Sequence, residues 1–483
     1  MTGGDEPRPE AEGAEPPAAA STAQAISAVR WTLFGTLLQR VITFGAVALL
    51  ARLLSTTEYG AYRQLLSVHL VIFVVLPLGF DQLYIREVRL RDHLARLLAA
   101  ALGISACLFA CIALVGHWLI SGAMDFGPWS GMLWLAPAVI AVQAWKLFYK
   151  TDLAARLDYR RIGLGEAVYA AVSGLGAVGL ALLWPSAWSL YIAFAAAELA
   201  ELLWLGRGHT VKLPPLRASL TDFRRDATRW KRFGVYHCGM QVLNAIGGNA
   251  PVIILGSTLS KTSAAAFSMA NFLVTVPIYL LIGALHRVAY SALAGRTREQ
   301  LTSAVLQMLA LSGAFIVPVL IWVAVMAEPL VHLALGENWI PSTAPVARWL
   351  ALYCVFVALF SPVSSLDLLL DRPDYGFWWN VVATPLRVIA VIAGLKYGVM
   401  HAVVAYAVTS AVVWVAWGML LAHLLGQGQA RFHGAWFRFV PLWAGLAVLL
   451  WGTLYLARES ASSLVNHPVS LILLSAAPAA LYT

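Results

Sequence analysis

Apolar residues recur along this chain in long runs, each near the ~20 residues that a helix needs to cross a hydrocarbon core of about 30 Å. The runs predict helices over 29–54, 61–84, 95–120, 130–150, 162–184, 187–205, 234–258, 264–290, 302–326, 345–368, 377–397, 399–424, 437–457 and 468–483. The last run has only 16 residues and stops at the chain end. The pattern predicts an all-α integral membrane protein of about fourteen transmembrane helices.

The basic residues sit between the runs and fix an expected orientation. The loop after helix 2 carries Arg86, Arg89, Arg91 and Arg96. The loop after helix 4 is flanked by Lys146 and Lys150 and carries Arg156, Arg160 and Arg161. Arg207 to Arg232 after helix 6 is the most basic connection, with further arginines (Arg287, Arg296, Arg298 and Arg431, Arg438) after helices 8 and 12. The alternate loops hold only Lys261, Lys396 and Arg458. Positive loops stay inside, so the N-terminus and the even-numbered loops are expected in the cytoplasm.

The long basic loop divides the chain. Residues 1–27 are expected to be a disordered cytoplasmic tail, because the Pro-, Ala-, Gly- and Glu-rich run has no apolar period and cannot bury a core. Residues 28–205 form an N-lobe, 206–232 a basic cytoplasmic linker, 233–424 a C-lobe and 425–483 a C-terminal helix pair. Two six-helix lobes that each begin and end on one side lie in parallel, related by a pseudo-two-fold axis along the membrane normal. Leu53-Leu54-Ser55 with Ala61-Tyr62 has a faint echo in Leu259-Ser260 with Ala266-Phe267, at an offset of about 205.

Composition agrees with this picture. Hydrophobic residues make up 60% and charged residues 12%, against about 25% charged in a soluble domain. The net charge of +9 lies in short loops between apolar spans, which points to the membrane and not to nucleic acid. Cys107, Cys111, Cys238 and Cys354 all fall in apolar stretches and read as packing residues, with no disulfide or metal site expected. Trp118, Trp129, Trp184, Trp188, Trp339 and Trp436 at span ends read as the aromatic belt.

Charge at membrane depth is expensive, so each such residue is a candidate site. Arg40 sits mid-span in helix 1, and Arg387 lies about halfway along helix 11. Arg63 and Arg348 lie near the outer ends of helices 2 and 10, within reach of the interface by snorkelling. Guanidinium groups hold phosphate oxygens in a two-pronged fork, so a cationic cavity suits a phosphate-bearing substrate. Glu198 and Glu201 share a face of helix 6, and Glu166 sits one turn into helix 5. They are candidate proton-coupling carboxylates, or structural groups, with Glu201 at the cytoplasmic interface and Glu166 paired to a nearby arginine. Helix 7 is unusually polar, with His237, Gln241, Asn244 and Asn249 around Gly247-Gly248 and Pro251. It reads as a bendable cavity-lining helix, or as polar glue between packed helices. Pro77, Pro137, Pro277, Pro318, Pro362 and Pro385 are further kink candidates. The GSTLSKT run at 256–262 lacks the glycine that a phosphate-binding loop needs before its lysine, and no HExxH or GxSxG occurs. No catalytic residue and no cofactor are expected.

Three stretches carry a family resemblance. WTLFGTLLQRVITFGAVALLARLLSTTEYGAYRQL running on to LGFDQLYIRE, VIILGSTLSKTSAAAFSMANFLVTVP with LHRVAYSALA, and VMAEPLVHLALGENWIPSTAPVARWLAL occur in order. Together they make the chain resemble the polysaccharide and O-antigen flippases of the multidrug/oligosaccharidyl-lipid/polysaccharide exporter superfamily, over about 29 to 424. The resemblance implies two six-helix lobes around a central cavity with alternating access, in a bacterial inner membrane. It implies an undecaprenyl-pyrophosphate-linked oligosaccharide as substrate, moved to the outer leaflet for O-antigen, capsule or exopolysaccharide synthesis. Polysaccharide polymerases or glycosyltransferases are its expected partners. On that reading Arg40 and Arg387, with Arg63 and Arg348, meet the pyrophosphate, while Gln39, Asn244 and Tyr62 contact sugar. One departure is Ala250-Pro251, where relatives often carry a helix 7 acid. The other readings are a small-molecule or drug exporter on the same fold, a membrane enzyme, which the short outer loops disfavour, and a non-catalytic component of a polysaccharide assembly complex.

Overall fold

A computed structural model of the chain describes residues 22–81, 84, 91–123, 127–156, 158–207, 216–293, 297–361, 366, 373–459 and 470–472. Thirteen long helices account for most of them. These are α1 (Thr22–Leu53), α2 (Thr56–Val75), α3 (Arg91–Ala123), α4 (Ala136–Ala155), α5 (Tyr159–Leu183), α6 (Ala187–Gly206) and α7 (Leu216–Thr258). They continue with α8 (Lys261–Leu293), α9 (Arg298–Val325), α10 (Ile340–Phe360), α11 (Pro373–Leu395), α12 (Val399–Leu424) and α13 (Val440–Glu459). Each overlaps one of the first thirteen expected spans. The fourteenth, 468–483, lies almost wholly outside the described residues, as do residues 1–21, Arg86, Arg89, Arg296 and Pro362. Nine helices among the described residues are long and apolar enough to span a membrane, and a tenth arises if the pair bent by 43° before Ala136 is one span.

Several helix ends differ from expectation. α1 starts at Thr22, so helix replaces the expected tail over 22–27; Ala-Gln-Ala-Ile is a good helix-forming start. α2 starts at Thr56 because the Ser55 hydroxyl caps it, accepting from the Glu58 amide at 3.2 Å. It ends before Pro77, where Leu78 takes a positive φ of 50°. α7 begins at Leu216, so most of the expected linker, 216–232 of 206–232, is helical. At 43 residues it is roughly 65 Å long, more than the thickness of a bilayer.

The pseudo-two-fold is visible in contacts. Thr56 and Thr262 meet hydroxyl to hydroxyl at 3.3 Å, 206 positions apart. Arg63 Nε donates to Ser268, 205 positions on. These pairs recur at the offset of the sequence echo, as expected where matching residues meet near the axis relating two parallel lobes. A large apolar core binds the lobes at this end: Leu50, Leu54 and Tyr59 pack with Leu255, Phe267 and Trp339. Separate cores fill the N-lobe (Leu76, Leu94, Leu97, Phe148) and the C-lobe (Phe360, Phe432, Trp417) nearer the opposite end. Large apolar side chains such as Leu183, Val41 and Trp451 stay 85%, 70% and 70% exposed, which suits contact with lipid and not water.

Small residues set the crossing of α1 on α5. A Cβ on Gly35 would lie 2.7 Å from the Gly163 Cα, and one on Gly163 would lie 2.8 Å from the Trp31 carbonyl oxygen. Gly174, in a wide turn at Ala171–Leu175, admits Ala46 and Ile42 in the same way. Close backbone approach of this kind drives helix packing where lipid removes the hydrophobic incentive. It fixes the face that α1 turns toward the other lobe.

Candidate functional site: charged side chains within and between the lobes

The outer ends of the lobes, as the loop charges orient them, are joined by a dense polar seam. Gly60 brings α2 so close that a Cβ there would fall 1.8 Å from the Lys261 carbonyl oxygen. Beside it the Lys261 Nζ donates to Gln64 Oε1 at 2.8 Å, and Gln64 Nε2 donates to the Ile253 carbonyl at 3.3 Å. Arg52 donates to the Leu333 carbonyl, and Trp339 Nε1 to the Ala51 carbonyl, both at 2.8 Å. Trp339 is only 1% exposed and stacks edge-on against Tyr59. Its place is therefore the seam and not the aromatic belt, because its indole hydrogen finds a carbonyl of the opposite lobe. Glu58 holds the rim of the N-lobe, accepting from the Ala187 amide at 2.6 Å and from Trp129 Nε1 at 2.8 Å. That carboxylate meets the positive end of α6.

Below the seam the symmetry is broken. α2 packs along both α7 and α8, while α1 touches α8 sparsely, with Phe44 stacked on Phe272 at 6.1 Å. Arg40 lies one turn from Phe44 on the same helical face, half-buried. Gln39 beside it is also half-buried. Arg40 is thus held on the α1 face that looks toward the C-lobe.

Arg387 belongs to the C-lobe. α11 is seated on α7 by Thr384 Oγ1, which donates to the Leu243 carbonyl at 3.0 Å. The Arg387 guanidinium lies beside Gly247, where its Nη1 would be in ordinary contact, 3.6 Å, with an added Cβ. Tyr406 donates to the Gly247 carbonyl at 3.4 Å and meets Tyr353 edge-on at 5.7 Å. The Arg387 Nε is buried without a hydrogen-bond partner among the described residues. On α7, Asn244 and Gln241 are exposed along one face, and Gln241 reaches a cavity of about 150 Å³ against Phe73, Pro77 and Asp81 of the N-lobe.

The structure separates the four arginines. Arg63 sits in the seam, donating to Ser268. Arg348 binds Glu328 at 2.6 Å in a cavity of about 390 Å³ that is walled by Trp451, Leu454 and Tyr455 of α13. It lies against the C-terminal helix, apart from Arg40 and Arg387.

The three glutamates converge in the N-lobe on two lysines that the sequence suggested only as loop flanks. Lys146 Nζ lies 2.5 Å from Glu198 and 2.9 Å from Glu201, with all three side chains no more than 7% exposed. Lys150 bridges Glu166 at 2.8 Å and Glu201 at 3.7 Å. Gln143 donates to Glu198 at 3.3 Å, and Lys146 also lies 5.1 Å from the Tyr169 ring. Glu201 therefore does not reach the interface, because Lys146 neutralises it in place. Glu166 pairs with Lys150 and not with an arginine. The missed signal was spacing: Lys146 and Lys150 are four apart, so they share the face that meets Glu198 and Glu201.

A family model described as polysaccharide biosynthesis protein matches residues 49–344, more than half of the chain. The chain is 25% identical over 384 residues to the lipopolysaccharide biosynthesis protein WzxC of Escherichia coli, covering 76% of this chain and 75% of that protein. It is 22% identical over 382 residues to the succinoglycan biosynthesis transport protein ExoT of Rhizobium meliloti, covering 77% and 73%. In fold it is similar to the lipid II flippase MurJ in an inward closed conformation, with a TM-score of 0.72 at 12% identity, covering 96% of this chain and 98% of that one. An inward-facing multidrug resistance MATE transporter also superposes, with a TM-score of 0.61 at 15% identity over 84% and 99% of the chains. The chain belongs to the polysaccharide biosynthesis protein family, and it shares the fold of the MurJ and MATE structures.

Proposed function

We propose that the chain carries an undecaprenyl-pyrophosphate-linked oligosaccharide from the cytoplasmic to the outer leaflet of a bacterial inner membrane, with its N-terminus in the cytoplasm. The supply comes from glycosyltransferases, and a polymerase consumes the product. What supports this reading is Arg40, mid-span in the apolar run of α1 and one turn from Phe44, which stacks on Phe272 of the C-lobe. A sugar pyrophosphate is too polar to cross hydrocarbon unaided. Arg40 from one lobe and Arg387 from the other neutralise it between them, while Gln39, Asn244 and Tyr62 offer hydrogen bonds to sugar. The sparse α1–α8 contact gives the prenyl tail a way to remain in the bilayer while the headgroup moves. The polar seam closes the outer side, so headgroups load from the cytoplasm and leave when the seam parts. Glu166, Glu198 and Glu201 take part in coupling: proton uptake on a carboxylate would weaken the Lys146 bridge that ties α4 to α6.

The test is translocation of a defined lipid-linked oligosaccharide in proteoliposomes, with and without a pH gradient. Arg40→Ala and Arg387→Ala should each abolish translocation, and surface polysaccharide in cells, while the protein stays in the membrane. Wild-type surface glycan in both variants would refute the cationic-cavity role.

A further inference from the structure

We infer that the C-lobe carries an anionic-phospholipid site, distinct from the transport path, in the groove between the start of α9 and the short helix Gln429–Phe437. The groove opens on the side of the basic loops, so it faces the cytoplasmic leaflet on the orientation taken above. Its volume is about 700 Å³.

The groove is built and fixed in place. α9 begins with a reciprocal cap, in which the Thr297 hydroxyl accepts from the Gln300 amide and the Gln300 side chain accepts from the Thr297 amide. Arg298 ties this end to the end of α12, donating to the Leu424 carbonyl at 2.6 Å. The chain then turns through Gly426, whose φ is +68°, into the helix Gln429–Phe437. Two arginines line the groove from that side. Arg431 is oriented by Gln427 at 3.3 Å, and Arg438 lies 4.9 Å from the Phe439 ring. From α9 come Ser303 and Gln307, which can hydrogen-bond a phosphodiester, with Glu299 as the one acid among the described lining residues. Two cations against one anion leave the groove with a net positive charge.

What sits beyond the groove selects a lipid over a soluble anion. Gln307, Leu311 and Phe315 follow one another at four-residue spacing on α9. Leu311 and Phe315 are 46% and 53% exposed, and Leu442, one turn beyond Arg438 on α13, is 54% exposed. The polar groove thus continues into an apolar track pointing into the hydrocarbon. Trp443 holds α13 against this stretch of α9, donating to the Gly313 carbonyl at 2.9 Å. A phosphate between Arg431 and Arg438 would place acyl chains along Leu311 and Phe315. Arginine close to a charged membrane surface, with apolar area beside it, is the usual basis of anionic-lipid recognition.

The experiment is native mass spectrometry of the purified full-length chain exchanged into matched phosphatidylglycerol, phosphatidylethanolamine or phosphatidylcholine micelles. The wild type should retain phosphatidylglycerol over phosphatidylcholine and phosphatidylethanolamine. Arg431→Gln with Arg438→Gln should weaken that retention about tenfold, the scale of losing charge-assisted hydrogen bonds. The charge-matched pair Arg207→Gln with Lys396→Gln should leave it unchanged. Equal retention of all three lipids, the same loss in the control pair, or displacement by millimolar inorganic phosphate alone would each overturn the inference. Because the readout is lipid retention, it stands or falls independently of sugar translocation.

Discussion

Replacing Gly60 with alanine puts a methyl group 1.8 Å from the Lys261 carbonyl oxygen, where ordinary carbon–oxygen contact needs roughly 3.3 Å. The clash is with backbone, not with a side chain that can swing away, so α2 and the α7–α8 turn must separate by roughly 1.5 Å. Overpacking of this kind costs about 1–3 kcal/mol. That cost falls on the seam-closed state alone, because the two backbones meet only there. It should shift the closed-to-open ratio by roughly 5- to 150-fold. The assay is a cross-link: Thr56→Cys with Thr262→Cys, at positions whose hydroxyls are 3.3 Å apart, in a background with the four native cysteines changed to alanine. Disulfide formation under mild oxidant should be rapid in the parent pair and at least about tenfold slower with Gly60→Ala. Gly45→Ala, where a Cβ meets nothing within 4 Å, should leave the rate alone. An unchanged rate with Gly60→Ala would mean that Gly60 does not govern closure, and the account of the seam as an outer gate would fall.

Lys146→Met leaves Glu198, 5% exposed, without its cation and Glu201 with only Lys150 at 3.7 Å, and should cost about 3–5 kcal/mol of stability. Glu198→Gln in that background should recover part of the loss in a denaturation series, and strictly additive losses would show that the residues do not act as one network. Trp339→Phe removes the donor to the Ala51 carbonyl and should lower stability by about 1–2 kcal/mol, read as an earlier thermal transition. It should also slow the Thr56–Thr262 cross-link; no change in either measure would place Trp339 outside the seam.

The sequence by itself determined the membrane class and the order of the thirteen described helices. Apolar run length and basic loop alternation are local, one-dimensional consequences of bilayer thickness and charge cost. It also marked Arg40, Arg387 and the three glutamates, since charge inside an apolar run is legible without a fold. Partners were not legible, because they come from other helices. Lys146 reads as a loop flank until α4 meets α6, and Trp339 reads as a belt residue until its indole reaches the Ala51 carbonyl 288 positions away. Arg348 looked equivalent to Arg63, yet one closes on Glu328 beside α13 and the other on Ser268 across the lobe boundary. Only the tertiary structure decides which charge finds which counterpart, because in a low-dielectric interior each must be neutralised by whatever the packing brings within reach.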